Sequence, residues 1–265
     1  MNIFKRELRA NLKSLLIWCG AQFFIIYAGM VKYGGFKNSG VDINEMFESF
    51  PKSIGTVFGM DGSDLSKVEG FYAVFFLYFM LLAAIHASML GVVILSKEER
   101  DHSADFLFAK PVPRSRVITA KICAALVNIA VFNGLTYAAS VLFISQYNDG
   151  NGLADKVGIL MIALFLLQIL FLSIGSALGA LSKTTRKASS INTAIILGAF
   201  FLSVAVDLYD KIDFLKYVTP FKYFDANSLL NGGSYSIASL VLCVILTELC
   251  FMCTYMKFGS RDLTT

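Results

Sequence analysis

A chain of 265 residues that is 56% apolar and only 16% charged carries too little polar surface to coat a soluble globule of its size, which excludes an ordinary water-soluble enzyme or binding domain. The net charge of +4 comes from basic residues that lie beside apolar runs rather than along one stripe, which excludes a nucleic-acid footprint. Six windows with almost no charge, at 14–31, 70–96, 122–148, 157–182, 188–206 and 235–256, match the ~20 residues a helix needs to cross the hydrocarbon core.

The windows are apolar all round and longer than the ~9–11-residue alternating strands of a membrane barrel. All four prolines, Pro51, Pro111, Pro113 and Pro220, fall between them, as unbroken helices require. An all-α integral membrane fold of one domain, residues 1–265, with six spans is therefore predicted, and no internal repeat or linker divides the chain.

In chain order, residues 1–13 place Ile3, Phe4, Leu8 and Leu12 at helical spacing among Lys5, Arg6, Arg9 and Lys13, which predicts an amphipathic helix on the inner leaflet. The first window reads as a retained span, since no small-residue cleavage pattern closes it before Lys32. In the loop that follows, Phe47, Phe50, Ile54, Val57 and Phe58 fall on one helical face, which predicts a short surface helix. The second window holds His86, and the fourth carries Gly175 and Gly179 as G-x-x-x-G, where missing side chains let another helix come close; packing within the same chain is the favoured reading. Residues 214–230 are too apolar for a free loop and too short to cross twice, so a re-entrant or interfacial hairpin is expected there, with Pro220 near its turn. The sixth window is interrupted by Glu248. At ~1.5 Å per residue Glu248 and His86 lie at similar depths near mid-bilayer, and they could face each other if spans two and six are neighbours. Polar groups there are functional candidates, against a purely structural role for a protonated Glu248 bonded to Asn128, Asn133 or Gln168.

The five cysteines, Cys19, Cys123, Cys243, Cys250 and Cys253, all lie inside apolar windows and are expected to be free and packed as small hydrophobes. Cys250 and Cys253 form a C-x-x-C without a second pair or a nearby histidine, so no metal site is predicted. The connections on one side, including the two ends, hold 15 of the 23 basic residues, and basic residues accumulate on the cytoplasmic side of short loops. Both termini, the segment after span two and the short loop with Lys183, Arg186 and Lys187 are therefore expected in the cytoplasm, the last as a secondary contact.

The segment between spans two and three reads Glu98-Glu99-Arg100-Asp101-His102-Ser103-Ala104-Asp105-Phe106-Leu107-Phe108-Ala109-Lys110-Pro111-Val112-Pro113-Arg114, with Lys121 at the next span. It resembles the ABC-2 permease family, whose members carry here an acidic run, Gly-Thr-Leu-Glu-Phe-Leu-Leu, two variable residues, Pro-Val-Ser-Arg and a lysine. Glu99, Ser103, Asp105, Phe106, Leu107, Pro111, Val112, Arg114 and Lys121 match this order, while His102 replaces the glycine and Pro113 the serine. The resemblance implies a coupling helix that docks into a separate soluble ABC ATPase, an apolar centre of Phe106, Leu107 and Phe108 and a charged rim of Glu98, Glu99, Arg100, Asp105 and Arg114 fitting such an interface. It further implies a second permease half, a copy or a homologue, and an exporter in the cell membrane for lipids, peptide antibiotics, ions or other small toxic molecules. ATP and magnesium would sit on the partner ATPase and no cofactor in this chain.

No G-x-x-x-x-G-K-[ST], H-E-x-x-H or G-x-S-x-G occurs, so the chain lacks the usual means to cradle ATP or to run zinc or serine hydrolysis, and no catalysis by this subunit alone is predicted. The alternative is a secondary carrier or channel using its intramembrane polar residues, for which inverted repeats or broken spans would be the sign. An intramembrane enzyme or a membrane scaffold is the third class.

Overall fold

The structure, a computed structural model, describes residues 3–40, 43–48, 51–60, 63–100, 113–147, 153–182 and 184–260. Among the described residues there are nine α-helices, two 3-10 stretches and no strand. They are α1 (Ile3–Ser39), α2 (Ile43–Glu48), α3 (Lys52–Val57), α4 (Val68–Arg100), α5 (Arg114–Ile144), α6 (Leu153–Leu181), α7 (Thr185–Leu208), α8 (Ala226–Leu230) and α9 (Ile237–Ser260), with the 3-10 stretches at Asp210–Tyr217 and Pro220–Lys222. Six of them, α1, α4, α5, α6, α7 and α9, are long and apolar enough to cross a membrane. One end of the bundle gathers the start of α1, the end of α4, the start of α5, the end of α6, the start of α7 and the end of α9, and is the basic end; the opposite end is acidic.

The first helix differs from expectation. No proline interrupts residues 3–39, so the amphipathic stretch and the first span form one helix of 37 residues, about 55 Å long at ~1.5 Å per residue against a ~30 Å hydrocarbon core. Its first turns pack on protein: Phe4 and Leu8 lie against the apolar cluster of Ile94, Leu95, Ile118, Ile122 and Phe258. Gly40, at φ +70, ends the helix in the left-handed region that glycine adopts without strain. The outer loop forms two short helices rather than one, because Pro51 stands in an extended conformation ahead of α3; Ile54 and Val57 are exposed. Before α4, Asp64 accepts hydrogen bonds from the Ser66 hydroxyl and the Asn44 amide, which with Lys67 hold its carboxyl well below the usual carboxylate range.

Between helices in lipid there is no hydrophobic gain, so close packing and hydrogen bonds must hold the bundle. The central pair is α4 and α6, which run in parallel and are joined at the acidic end by the Lys156–Glu69 ion pair at 2.8 Å. Around them, α4 also touches α1, α5 and α7, while α9 packs mainly on α6. The main core gathers Phe76, Phe79, Leu167 and Phe171 between these helices.

Residues 209–230 fold back into the bundle without crossing it. Pro220 opens the second 3-10 stretch, the Thr219 hydroxyl donates to the Ala199 carbonyl at 2.8 Å, and Lys222 pairs with Asp207. The Phe221 ring meets Phe171 and Phe200 at 5.3 and 5.6 Å. The register that pairs Glu69 with Lys156 and sets Ser88 against Gly175 puts Phe171 level with Ala84, close to the middle of α4. Thr219 and Phe221 are buried against the bundle, whereas Tyr209, Phe214, Tyr217 and Val218 ahead of them are exposed, an arrangement that fits the expected re-entrant or interfacial hairpin.

Candidate functional site

The segment singled out by sequence joins α4 to α5. α4 continues as helix through Glu98, Glu99 and Arg100, and α5 starts at Arg114 after Pro113, whose φ of −61 and ψ of 139 place it outside the helix. Proline suits this entry position because it has no N–H to leave unpaired. Asp105, Phe106, Leu107, Phe108 and Pro111 lie outside the described residues, as does Lys183.

The second basic loop comes to the same place. Thr184 caps α7 by accepting from the Lys187 backbone N–H, Arg186 and Lys187 are exposed, and the Thr185 hydroxyl donates to the Ser96 carbonyl at 3.3 Å. The basic end of α4 is thus the meeting point of both connections.

Deeper in the bundle, α4 and α6 approach so closely that side chains are excluded. A Cβ on Gly175 would overlap the Ser88 carbonyl, one on Gly91 would stand 2.5 Å from the Leu172 carbonyl oxygen, and one on Gly179 2.9 Å from that of Val92. Beside this crossing, Ser88 donates to Asn192 of α7, Asn133 of α5 donates to Gln168 of α6 at 3.2 Å, and Tyr72 of α4 to Ser140 of α5 at 2.7 Å. Buried polar ties thus link α4 to α7 and to α5, and α5 to α6.

His86 is buried between Trp18 of α1 and Phe132 of α5, at ring distances of 5.6 and 4.8 Å. Asn128 lies within hydrogen-bonding range of its side chain, yet the His86 Nδ1 and the Asn128 Oδ1 have no protein partner. Glu248 is elsewhere: it is exposed on α9, whose neighbours are α6 and α5 rather than α4. The two candidates share a depth but not a face: spans two and six are not close neighbours, so the condition for His86 to face Glu248 is not met. Sequence reasoning passed over Gln22, which is buried with neither amide atom partnered; its position at the centre of the first uncharged window was the available signal.

Glu248 stands at the middle of a 24-residue helix, where an ionised carboxylate costs about 2.5–3.5 kcal/mol on insertion scales. Because its side chain fills no space in the chain's interior, Glu248→Gln is expected to leave insertion and yield unchanged and to alter transport by the assembled protein. Transport equal to that of the unmodified protein would remove Glu248 from the pathway.

A family model described as ABC-2 family transporter protein matches residues 1–263. The chain belongs to the ABC-2 transporter family. No curated protein matches it. With six apolar helices of spanning length and this membership, it is a multi-pass membrane protein and the permease component of an ABC transporter. In this ABC-2 permease the described residues contain no group of three or more His, Cys, Asp or Glu that could hold a metal ion.

Proposed function

We propose that this permease is one half of an ATP-driven exporter in the cell membrane, and that segment 98–114 takes up the motion of a separate soluble ATPase that holds ATP and magnesium. The observation that carries this reading is the placement of α4. It touches α1, α5, α6 and α7, it is locked to α6 by glycine contacts, and its basic end leads directly into the segment. A displacement fed in at that end must move the centre of the bundle, because a close-packed interior transmits strain instead of absorbing it. The charged and apolar residues of the segment suit a docked interface with a polar rim, and Arg186 with Lys187 offers a second contact beside it. Both termini then face the cytoplasm, and a second permease half, a copy or a homologue, completes the pathway.

Isolation of the tagged chain from membranes tests this: a soluble ATPase is expected to co-purify, and its absence at low and moderate salt would defeat the reading. Topology is tested separately. A cysteine in place of Ser103 is expected to react with a membrane-permeant thiol reagent and to resist an impermeant one added from outside; strong labelling from outside would invert the arrangement.

A further inference from the structure

Among the residues whose burial is described, Glu7 is the only acid and Lys121 the only lysine or arginine that is buried, each with no exposed surface. They have opposite formal charges and sit on α1 and α5, which pack against each other. The register that pairs the Tyr33 ring with Tyr147 and brings both Trp18 and Phe132 onto His86 sets Glu7 level with Lys121. Both flank the basic end of α4. The Lys121 ammonium donates to the Ile94 carbonyl, and Phe4 and Leu8, on either side of Glu7, dock on the cluster that contains Ile94, Ile118 and Ile122. Glu7 also accepts from Arg6 at 3.0 Å, and its backbone carbonyl accepts from Asn11 at 2.9 Å, so the first turns of α1 are fixed around it.

A buried charge is tolerated only where opposite charge and hydrogen bonds offset its desolvation, and removing one member of such a set costs more than removing both. We propose that Glu7 and Lys121 form a buried charge brace that clamps the first turns of α1 and the foot of α5 to the basic end of α4. The two are positioning residues for segment 98–114: the brace makes the start of α1, the end of α4 and the foot of α5 one rigid body that moves with whatever docks there. The clamping follows from burial, charge and register alone; the transmission role rests on the coupling reading above.

A double-mutant cycle on the purified chain decides the clamp. Glu7→Gln and Lys121→Gln are each expected to lower the thermal midpoint by roughly 10 °C, while the variant carrying both falls by little more than either alone. Simple additivity of the two losses would overturn the brace. Should a single variant yield no folded protein, recovery of folded protein in the double variant supports the brace and failure to recover it counts against it. The transmission role is read in the assembled transporter, where Lys121→Gln is expected to keep its ATPase bound while stimulation of ATP turnover by the membrane subunit drops at least about fivefold, and Lys121→Arg keeps both. Undiminished stimulation in Lys121→Gln would end the transmission role. Absence of any co-purifying ATPase from the unmodified chain would sink the coupling reading instead, and the thermal cycle would still decide the brace.

Discussion

Replacing Phe106 and Leu107 together with alanine is expected to strip the permease of its ATPase, lowering co-purification by about 30-fold or more while insertion and thermal stability stay near those of the unmodified chain. The size follows from truncating two apolar side chains at the centre of a small interface, where hot-spot losses reach ~2 kcal/mol or more and each 1.4 kcal/mol is tenfold. Stability should be spared because neither residue lies within a membrane span. Charge reversal at Glu99 serves as the contrast, since a rim charge in high dielectric contributes little and is screened by salt. Its effect should be smaller and should fade as ionic strength rises. Unaltered ATPase binding by the double alanine variant would remove the main reason for placing the interface on this segment.

The second large effect is structural. Gly175→Ala is expected to destabilise the chain by about 3 kcal/mol or more, seen as a lower thermal midpoint and a poor yield of monodisperse protein. Two effects oppose each other. Alanine gains up to ~1 kcal/mol over glycine in a helix interior, but the added methyl must occupy space already filled by the Ser88 carbonyl, carbonyl carbon and Cα. Those are backbone atoms of a packed helix and cannot swing aside as a side chain would, so overpacking and loss of the α4–α6 approach exceed the propensity gain. Gly198→Ala is the control: nothing lies within 4 Å of the new methyl group, and the variant should be as stable as the original or slightly more so. Equal behaviour of the two variants would mean that the α4–α6 crossing is looser than described.

Depth along the membrane was legible in the sequence, whereas direction around each helix was not. The spans could be read because uncharged length translates directly into distance at a fixed rise per residue, and a re-entrant or interfacial hairpin at residues 214–230 followed from a run too apolar to be solvated and too short to cross. Glu248 and His86 were placed at comparable depths by the same rule. Which face each presents depends on helix rotation and on which spans are neighbours, and the sequence contains neither. Glu248 accordingly points away from the interior on α9, while His86 is enclosed on α4. The amphipathic pattern of residues 3–12 signalled an apolar face without telling lipid from protein as its cover, and Phe4 and Leu8 rest on protein. The burial of Glu7 and Lys121 was illegible for a related reason: charges at span ends ordinarily reach the interface, and it takes the packing of α1, α4 and α5 together to enclose these two.

The parallel seating of α6 on α4 also dictates an order of assembly. These helices enter the membrane from the same side, and α5 must pass back across before α6 can arrive. When a growing chain has delivered only its first three spans, the strip of α4 around Ser88, Gly91 and Val92 faces lipid or the insertion machinery, with no close-fitting neighbour. Insertion and consolidation are then distinct events in biosynthesis, and the bundle acquires its spine only once residues 172–179 have emerged from the ribosome and entered the bilayer.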